Sequence, residues 1–68
     1  MVSDNVKRIR KAKGINQSYL AKELGISSMS YSRLERGESK LDVDRLLVIA
    51  KTLDVPVMAF FEEIIENY

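Results

Sequence analysis

Apolar residues recur along this chain at helical spacing. In the clearest segment they lie at positions i, i+3, i+4 and i+7, namely Leu46, Ile49, Ala50 and Leu53. The last segment has the same spacing in Val57, Phe60, Phe61 and Ile64. Three other segments have narrower apolar faces, formed by Val6 with Ile9, Leu20 with Ala21 and Leu24, and Tyr31 with Leu34. No segment shows the strict alternation of a half-buried strand, so the pattern predicts an all-α fold of five helices.

Turn-forming and capping residues separate these five segments. Gly14, Gly25 and Gly37 each follow an apolar face and suit the left-handed conformation in which many helices end. Helices two, three and four are preceded by good N-cap residues, which are Asn16, Ser27 and Asp42. Pro56 precedes the fifth helix, which is expected over about 57–67. Because no repeat or linker interrupts residues 1–68, we interpret them as a single domain.

Composition narrows the classes of function. The chain has 68 residues, of which 46% are hydrophobic and 31% charged, the balance of a folded domain. It has no cysteine and no histidine, so we expect no disulfide, no metal site and no cofactor. No apolar run approaches the ~20 residues of a membrane span, and a cytoplasmic setting fits best. We interpret the three carboxylates near the end of the chain as a solvated helix face, namely Glu62, Glu63 and Glu66. We therefore do not expect an enzyme.

Charge is distributed unevenly between the two parts of the chain. Residues 1–40 carry nine Lys and Arg against four Asp and Glu, a net charge of +5. Residues 41–68 carry two Lys and Arg against six Asp and Glu, a net charge of −4. A basic half attracts a polyanion, and an acidic half is held away from it. The distribution therefore favours nucleic acid as a partner.

The second and third helices carry the functional signature. Both are short, and the connection over residues 24–27 is only three to four residues long, so the two helices must cross at a steep angle. Ala21 is small enough to let them approach, while Tyr31 and Leu34 face inward. The outward face of the third helix then consists of Ser28, Met29, Ser32 and Arg33. This arrangement predicts a helix-turn-helix over about 17–36.

Three motifs in this region resemble the phage-repressor, Cro-like (Xre) helix-turn-helix family. They are Gln17-Ser18-Tyr19-Leu20-Ala21, Leu24-Gly25-Ile26-Ser27 and Ser32-Arg33-Leu34-Glu35-Arg36-Gly37. The resemblance covers roughly residues 5–61, and Leu41 replaces the proline that the family often has before its fourth helix. It implies a bacterial or phage transcription regulator. We expect a small stand-alone regulator, similar to restriction–modification controller proteins, and the alternative is the DNA-binding fragment of a longer repressor.

The resemblance also implies contacts for individual residues. The third helix would lie in the major groove and contact base edges through Ser28, Met29, Ser32 and Arg33. Arg33 is the strongest candidate, because a guanidinium can bond to both O6 and N7 of guanine. DNA phosphate contacts are expected from Asn16, Gln17, Ser27, Arg36 and Lys40. A salt bridge between Arg10 and Glu35 is expected to join the first and third helices.

The last helix has more apolar residues than one inner face requires. A homodimer surface is therefore expected from Met58, Phe61, Ile65 and Tyr68. Two-fold pairing suits a palindromic operator, so the expected partners are double-stranded DNA and a second copy of the chain. RNA polymerase or an antagonist protein are further partners of such a repressor or autoregulator. The alternative interpretation is an antitoxin-like interaction module, whose main partner is another protein.

Overall fold

The computed structural model describes residues 1–62 as four α-helices followed by a short 3₁₀ helix. The helices are α1 (Val2–Ala12), α2 (Gln17–Leu24), α3 (Ser28–Glu35) and α4 (Val43–Leu53), with the 3₁₀ helix at Val57–Phe61. No strand occurs in this part of the chain, which confirms the predicted all-α class. Several residues named above lie outside the described part, namely Glu63, Ile64, Ile65, Glu66 and Tyr68.

The prediction of a regular fifth helix is wrong over Val57–Phe61, which forms a 3₁₀ helix instead. The amide of Ala59 donates to the carbonyl oxygen of Pro56 at 2.9 Å, which closes the tighter three-residue turn. Phe60 is fully buried in this turn, and its carbonyl oxygen accepts a hydrogen bond from Asn5 of α1 at 2.7 Å. Contacts with α1 therefore fix the local geometry here, whereas the apolar spacing suggested a regular helix.

The helix ends follow the predicted caps, with one exception. The side chains of Asn16, Ser27 and Asp42 accept hydrogen bonds from amides three residues further on, at 2.8, 3.0 and 2.8 Å. Gly25 ends α2 in the left-handed conformation, at φ 70°. The exception is α4, which ends at Asp54 with φ 56°. Aspartate is one of the few residues besides glycine that adopts this conformation readily, and the sequence pattern did not indicate it.

The core draws on all four helices and the 3₁₀ helix. Its buried apolar side chains are Val6, Leu20, Ala21, Tyr31, Leu34, Leu46, Ile49, Ala50, Leu53 and Phe60. The α2 helix packs on both α3 and α4, while α1 packs on α3, α4 and the 3₁₀ helix. Because α3 buries only its inner face in these contacts, its outer face remains open to solvent.

The described helices are short. The longest of them have 11 residues, or about 16 Å, against the ~30 Å of a bilayer core. Within residues 1–62, none combines the length and the apolar character that crossing a membrane requires.

Candidate nucleic-acid interface

The turn between α2 and α3 sets the angle at which α3 is presented. The amide of Gly25 donates to the carbonyl oxygen of Lys22 at 3.1 Å, and that of Ile26 donates to the carbonyl oxygen of Ala21 at 3.0 Å. These two bonds pair carbonyl groups in the last turn of α2, and the helix ends at Gly25 in the left-handed conformation. A Cβ at Gly25 would meet no atom within 4 Å, so the position requires glycine for its φ and not for space. Ser27 then caps α3 immediately.

The outer face of α3 presents the four predicted base-contacting side chains. Ser28, Met29 and Arg33 are exposed and Ser32 is half-buried, while Tyr31 and Leu34 on the opposite face are buried. Met29 is 66% exposed, and Arg33 Nη2 lies 3.8 Å from its sulfur. An α-helix with its side chains is about 10–12 Å in diameter, and the major groove of B-DNA is about 12 Å wide. The size and exposure of α3 are therefore compatible with insertion into that groove.

A buried ion pair joins α1 to the end of α3. Arg10 Nε donates to Glu35 Oε2 at 2.7 Å, and Arg10 Nη2 donates to Glu35 Oε1 at 3.0 Å. The two side chains are only 8% and 1% exposed. Arg10 Nη1 also donates to the carbonyl oxygen of Ile15 at 2.7 Å, so the guanidinium holds the loop before α2 as well. One side chain thus connects α1, the start of α2 and α3.

Glu35 is ionised in this setting. Burial pushes the pKa of its carboxyl upward, but the Arg10 guanidinium, the Tyr31 hydroxyl and the Gln17 amide outweigh burial and leave the pKa below its usual value. The hydrogen bond to Glu35 also raises the pKa of Arg10, so both charges are retained. Burial, followed by the nearby Glu35 carboxylate, raises the pKa of Tyr31. Within residues 1–62, the Tyr31 hydroxyl is buried without a hydrogen-bond partner.

The predicted phosphate-contacting residues cluster at the N-termini of α2 and α3 and after α3. Gln17 Nε2 donates to Glu35 Oε1 at 3.1 Å, so the buried ion pair also positions the amide of Gln17. The side-chain oxygens of Asn16 and Ser27 already cap their helices. Lys40 is exposed in the loop that follows α3. Gln17 is half-buried, and the other four predicted residues are exposed: Asn16, Ser27, Arg36 and Lys40.

Sequence reasoning missed the neighbour of Arg36. Arg36 Nε donates to Glu38 Oε2 at 2.8 Å, and both side chains are more than half exposed. Arg36 Nη1 also donates to the hydroxyl of Ser32 at 3.0 Å. The hydrogen bond to Glu38 raises the pKa of Arg36, and the same bond lowers that of Glu38. A carboxylate therefore competes for one of the predicted phosphate contacts.

The predicted dimer residues are only partly described. Met58 is 59% exposed, whereas Phe61 is half-buried. Phe61 lines a cleft of about 580 Å³ together with Leu34, Leu41 and Leu46. Ile65 and Tyr68 lie outside the described residues. In residues 1–62, no three His, Cys, Asp or Glu side chains are grouped so that they could hold a metal ion.

The chain is similar in sequence to several proteins that are described as transcriptional regulators. A family model described as helix-turn-helix matches residues 6–60. The chain is 35% identical over 63 residues to an uncharacterised transcriptional regulator in the ATPase CF(0) region of Rhodospirillum rubrum, covering 93% of the chain and 58% of the relative. It is 38% identical over 55 residues to the uncharacterised HTH-type transcriptional regulator YqaE of Bacillus subtilis, covering 81% of the chain and 47% of the relative. A regulator from Sinorhizobium medicae, also described as HTH-type, is 32% identical over 62 residues, covering 91% and 45%. The chain spans about half the length of these relatives.

Proposed function

The chain belongs to the Xre-type helix-turn-helix family of DNA-binding transcription regulators, and we propose that it reads a palindromic operator as a homodimer. In this proposal each copy inserts α3 into the major groove of one half-site. The bound dimer acts in the cytoplasm as a repressor or autoregulator, since it would occlude the promoter that RNA polymerase needs. The proposal contains no catalytic step.

The observation that carries the proposal is the exposed outer face of α3. Ser28, Met29 and Arg33 are solvent-exposed although each lies within four residues of a fully buried core side chain. Arg33 supplies five N–H donors in a planar fork, which matches the two acceptors of guanine. The serines and Met29 reach less far, so direct readout depends chiefly on Arg33. Sequence-dependent DNA shape supplies the remaining discrimination.

The buried ion pair supports this proposal by fixing how α3 is presented. Phosphate contacts set the register of a protein on the duplex, and base contacts then specify the sequence. Gln17 would contact a phosphate from the N-terminus of α2, while Glu35 at the end of α3 accepts a hydrogen bond from it. A single network thus links a phosphate-contacting residue to the recognition helix.

Selection of bound duplexes from a random DNA pool tests the proposal. We expect enrichment of an inverted repeat whose half-site centres lie about 10–10.5 base pairs apart. Arg33→Ala should lose discrimination at one position in each half-site, worth about 1–3 kcal/mol. Arg33→Lys is the matched control, because it keeps the charge but not the planar fork. It should retain non-specific affinity and show weaker discrimination than the unaltered chain, because an ammonium lacks the fixed two-donor geometry.

Two results would contradict the proposal. The first is that no motif is enriched and the weak binding disappears as salt rises, which would leave only backbone electrostatics. The second is an enriched motif that Arg33→Ala and Arg33→Lys leave unchanged at every position. In that case α3 would not be the reading helix.

The antitoxin-like interaction module is the second candidate function, and the exposure of Met58 favours it. A protein partner would bury such an apolar side chain, whereas DNA would gain little from contact with it at this position. The two candidates differ in their response to substitution. Replacing Arg33 and Gln17 with alanine should abolish regulation if DNA is the main partner, and should preserve it if the main partner is a protein.

A further inference from the structure

The solvent-facing side of α4 carries a stripe of four exposed residues. Asp44, Leu47, Val48 and Lys51 lie at positions i, i+3, i+4 and i+7, which places them on one face of the helix. Leu47 is 51% exposed and Val48 is 38% exposed, although α4 already buries a complete apolar face on its other side. The stripe is therefore an apolar pair flanked by one acidic and one basic residue.

The order of charges along this stripe is symmetric about its centre. Asp44 precedes Leu47 by three residues, and Lys51 follows Val48 by three residues. An antiparallel copy of the same helix, related by a two-fold axis between Leu47 and Val48, would bring each Asp44 opposite a Lys51. Leu47 of each copy would meet Val48 of the other. A two-fold interface needs this property, in which residue i contacts residue j and residue j contacts residue i.

The charged ends of the stripe, Asp44 and Lys51, form no ion pair with any other of the residues 1–62. Seven residues separate them, or about 10 Å along the helix axis, which is too far for a direct contact within α4. Both charges therefore remain available to a partner with complementary order.

We propose that the outer face of α4 pairs with the same face of a second copy of this chain, as two antiparallel helices with Leu47 and Val48 at the centre. This assigns the homodimer of the proposed function a surface other than the one around Met58. It does not rest on DNA binding, because the complementarity lies entirely within α4. The stripe is short, so the interface is small and belongs to the weak, concentration-dependent class.

Charge reversal provides the test, with self-association measured by sedimentation equilibrium in the absence of DNA. We expect the unaltered chain to dimerise with a dissociation constant on the order of 0.1 mM. Asp44→Lys alone and Lys51→Asp alone each place like charges opposite one another twice, and should weaken the dimer roughly tenfold. The double variant D44K/K51D restores both pairs and should return the constant to within about threefold of the original.

The double variant separates pairing from damage to the helix. Asp44 lies near the N-terminus of α4 and Lys51 near its C-terminus, where each charge is favourable to the helix dipole. If the single variants act only by weakening α4, the double variant should be the worst of the three. If they act by pairing, it should be restored. An equimolar mixture of the two single variants should also associate more tightly than either alone, because all its cross-pairs are opposite in sign.

Glu23→Lys is the matched control, since it reverses an exposed charge on another helix, α2, and should leave the dissociation constant unchanged. A chain that stays monomeric to about 1 mM would overturn the proposal. So would a dimer whose constant does not respond to the α4 reversals, because it would use another surface. Since DNA is absent, loss of operator binding in Arg33→Ala leaves this result unaffected, and the two proposals can fail separately.

Discussion

The side-chain amide of Asn5 donates a 2.7 Å hydrogen bond to the carbonyl oxygen of Phe60, which lies 55 residues further along the chain. Both residues are buried, and the side-chain oxygen of Asn5 accepts a second hydrogen bond from Arg8 at 2.9 Å. This single polar contact holds the 3₁₀ helix against α1. It gives the carbonyl oxygen of Phe60 a buried hydrogen-bond donor from α1.

Replacing Asn5 with alanine should therefore destabilise the fold. The carbonyl of Phe60 would lose its donor inside the protein, which costs about 1–3 kcal/mol of the free energy of unfolding. Urea denaturation followed by circular dichroism measures this loss. Arg8→Ala is the control, because it removes the more exposed partner of Asn5 and should cost less than about 0.5 kcal/mol. Equal losses in both variants would show that the bond to Phe60 contributes nothing of its own.

The second prediction concerns the ion pair between Arg10 and Glu35, in which removing one charge should destabilise the fold more than removing both. Glu35→Gln leaves the Arg10 charge buried without its counter-ion, and should cost about 3–5 kcal/mol. The double variant Arg10→Met/Glu35→Leu removes both charges and fills similar volume, so it should recover most of that loss. Thermal and urea unfolding of the three proteins tests the coupling. A double variant as unstable as Glu35→Gln would mean that the pair contributes mainly by its shape and its bonds to the loop.

The same pair should make stability depend on pH in the acid range. In the folded chain the pKa of Glu35 lies below its usual value of 4.5, because its hydrogen bonds outweigh burial. The unfolded state then binds more protons as the solution becomes acidic. The contribution of Glu35 is complete above its usual pKa and is lost as pH falls through the lower folded value. We expect the urea concentration at the unfolding midpoint to decrease as the pH is lowered below about 4.5. The decrease should be smaller in the Arg10→Met/Glu35→Leu double variant.

The double variant is also the proper comparison for that experiment, because it retains every other carboxylate, including Glu38 with its own lowered pKa. The difference between the two acid profiles therefore isolates Glu35. Parallel profiles would show that the acid sensitivity comes from the exposed carboxylates.

Removing the carboxylate of Glu38 should strengthen DNA binding. Glu38 holds Arg36 in an exposed ion pair, which contributes little to stability but must be broken when Arg36 contacts a phosphate. Glu38→Gln should tighten DNA binding by about two- to fivefold near 0.1 M salt. It should also steepen the slope of the logarithm of the binding constant against the logarithm of salt concentration by up to about one. Arg36→Ala should have the opposite effect. Fluorescence anisotropy over a series of salt concentrations measures both quantities.

Glu62→Gln is the matched control for this prediction, since it removes one exposed carboxylate outside the helix-turn-helix. It should change binding much less than Glu38→Gln does. If both variants tighten binding equally, the effect is one of net charge. The ion pair between Arg36 and Glu38 would then have no specific role.

Most of the helical fold could be predicted from sequence because its signals are local. Asn16, Ser27 and Asp42 cap helices through amides only three residues away, and the buried face of α4 follows directly from the spacing of its apolar residues. The outward face of α3 was likewise found by exclusion, once Tyr31 and Leu34 were assigned to the core. What these outward residues contact remains a prediction.

Tertiary structure alone decided the conformation of the segment after Pro56. The apolar spacing after Pro56 predicted a regular helix, yet the burial of Phe60 and its bond to Asn5 accompany a 3₁₀ helix there. Nothing in the sequence around Asn5 indicated that this polar residue is buried. Caps and helical faces depend on residues within one or two turns, so a sequence determines them by itself. A hydrogen bond across 55 residues forms only when packing brings its two groups together, and only the folded structure decides that.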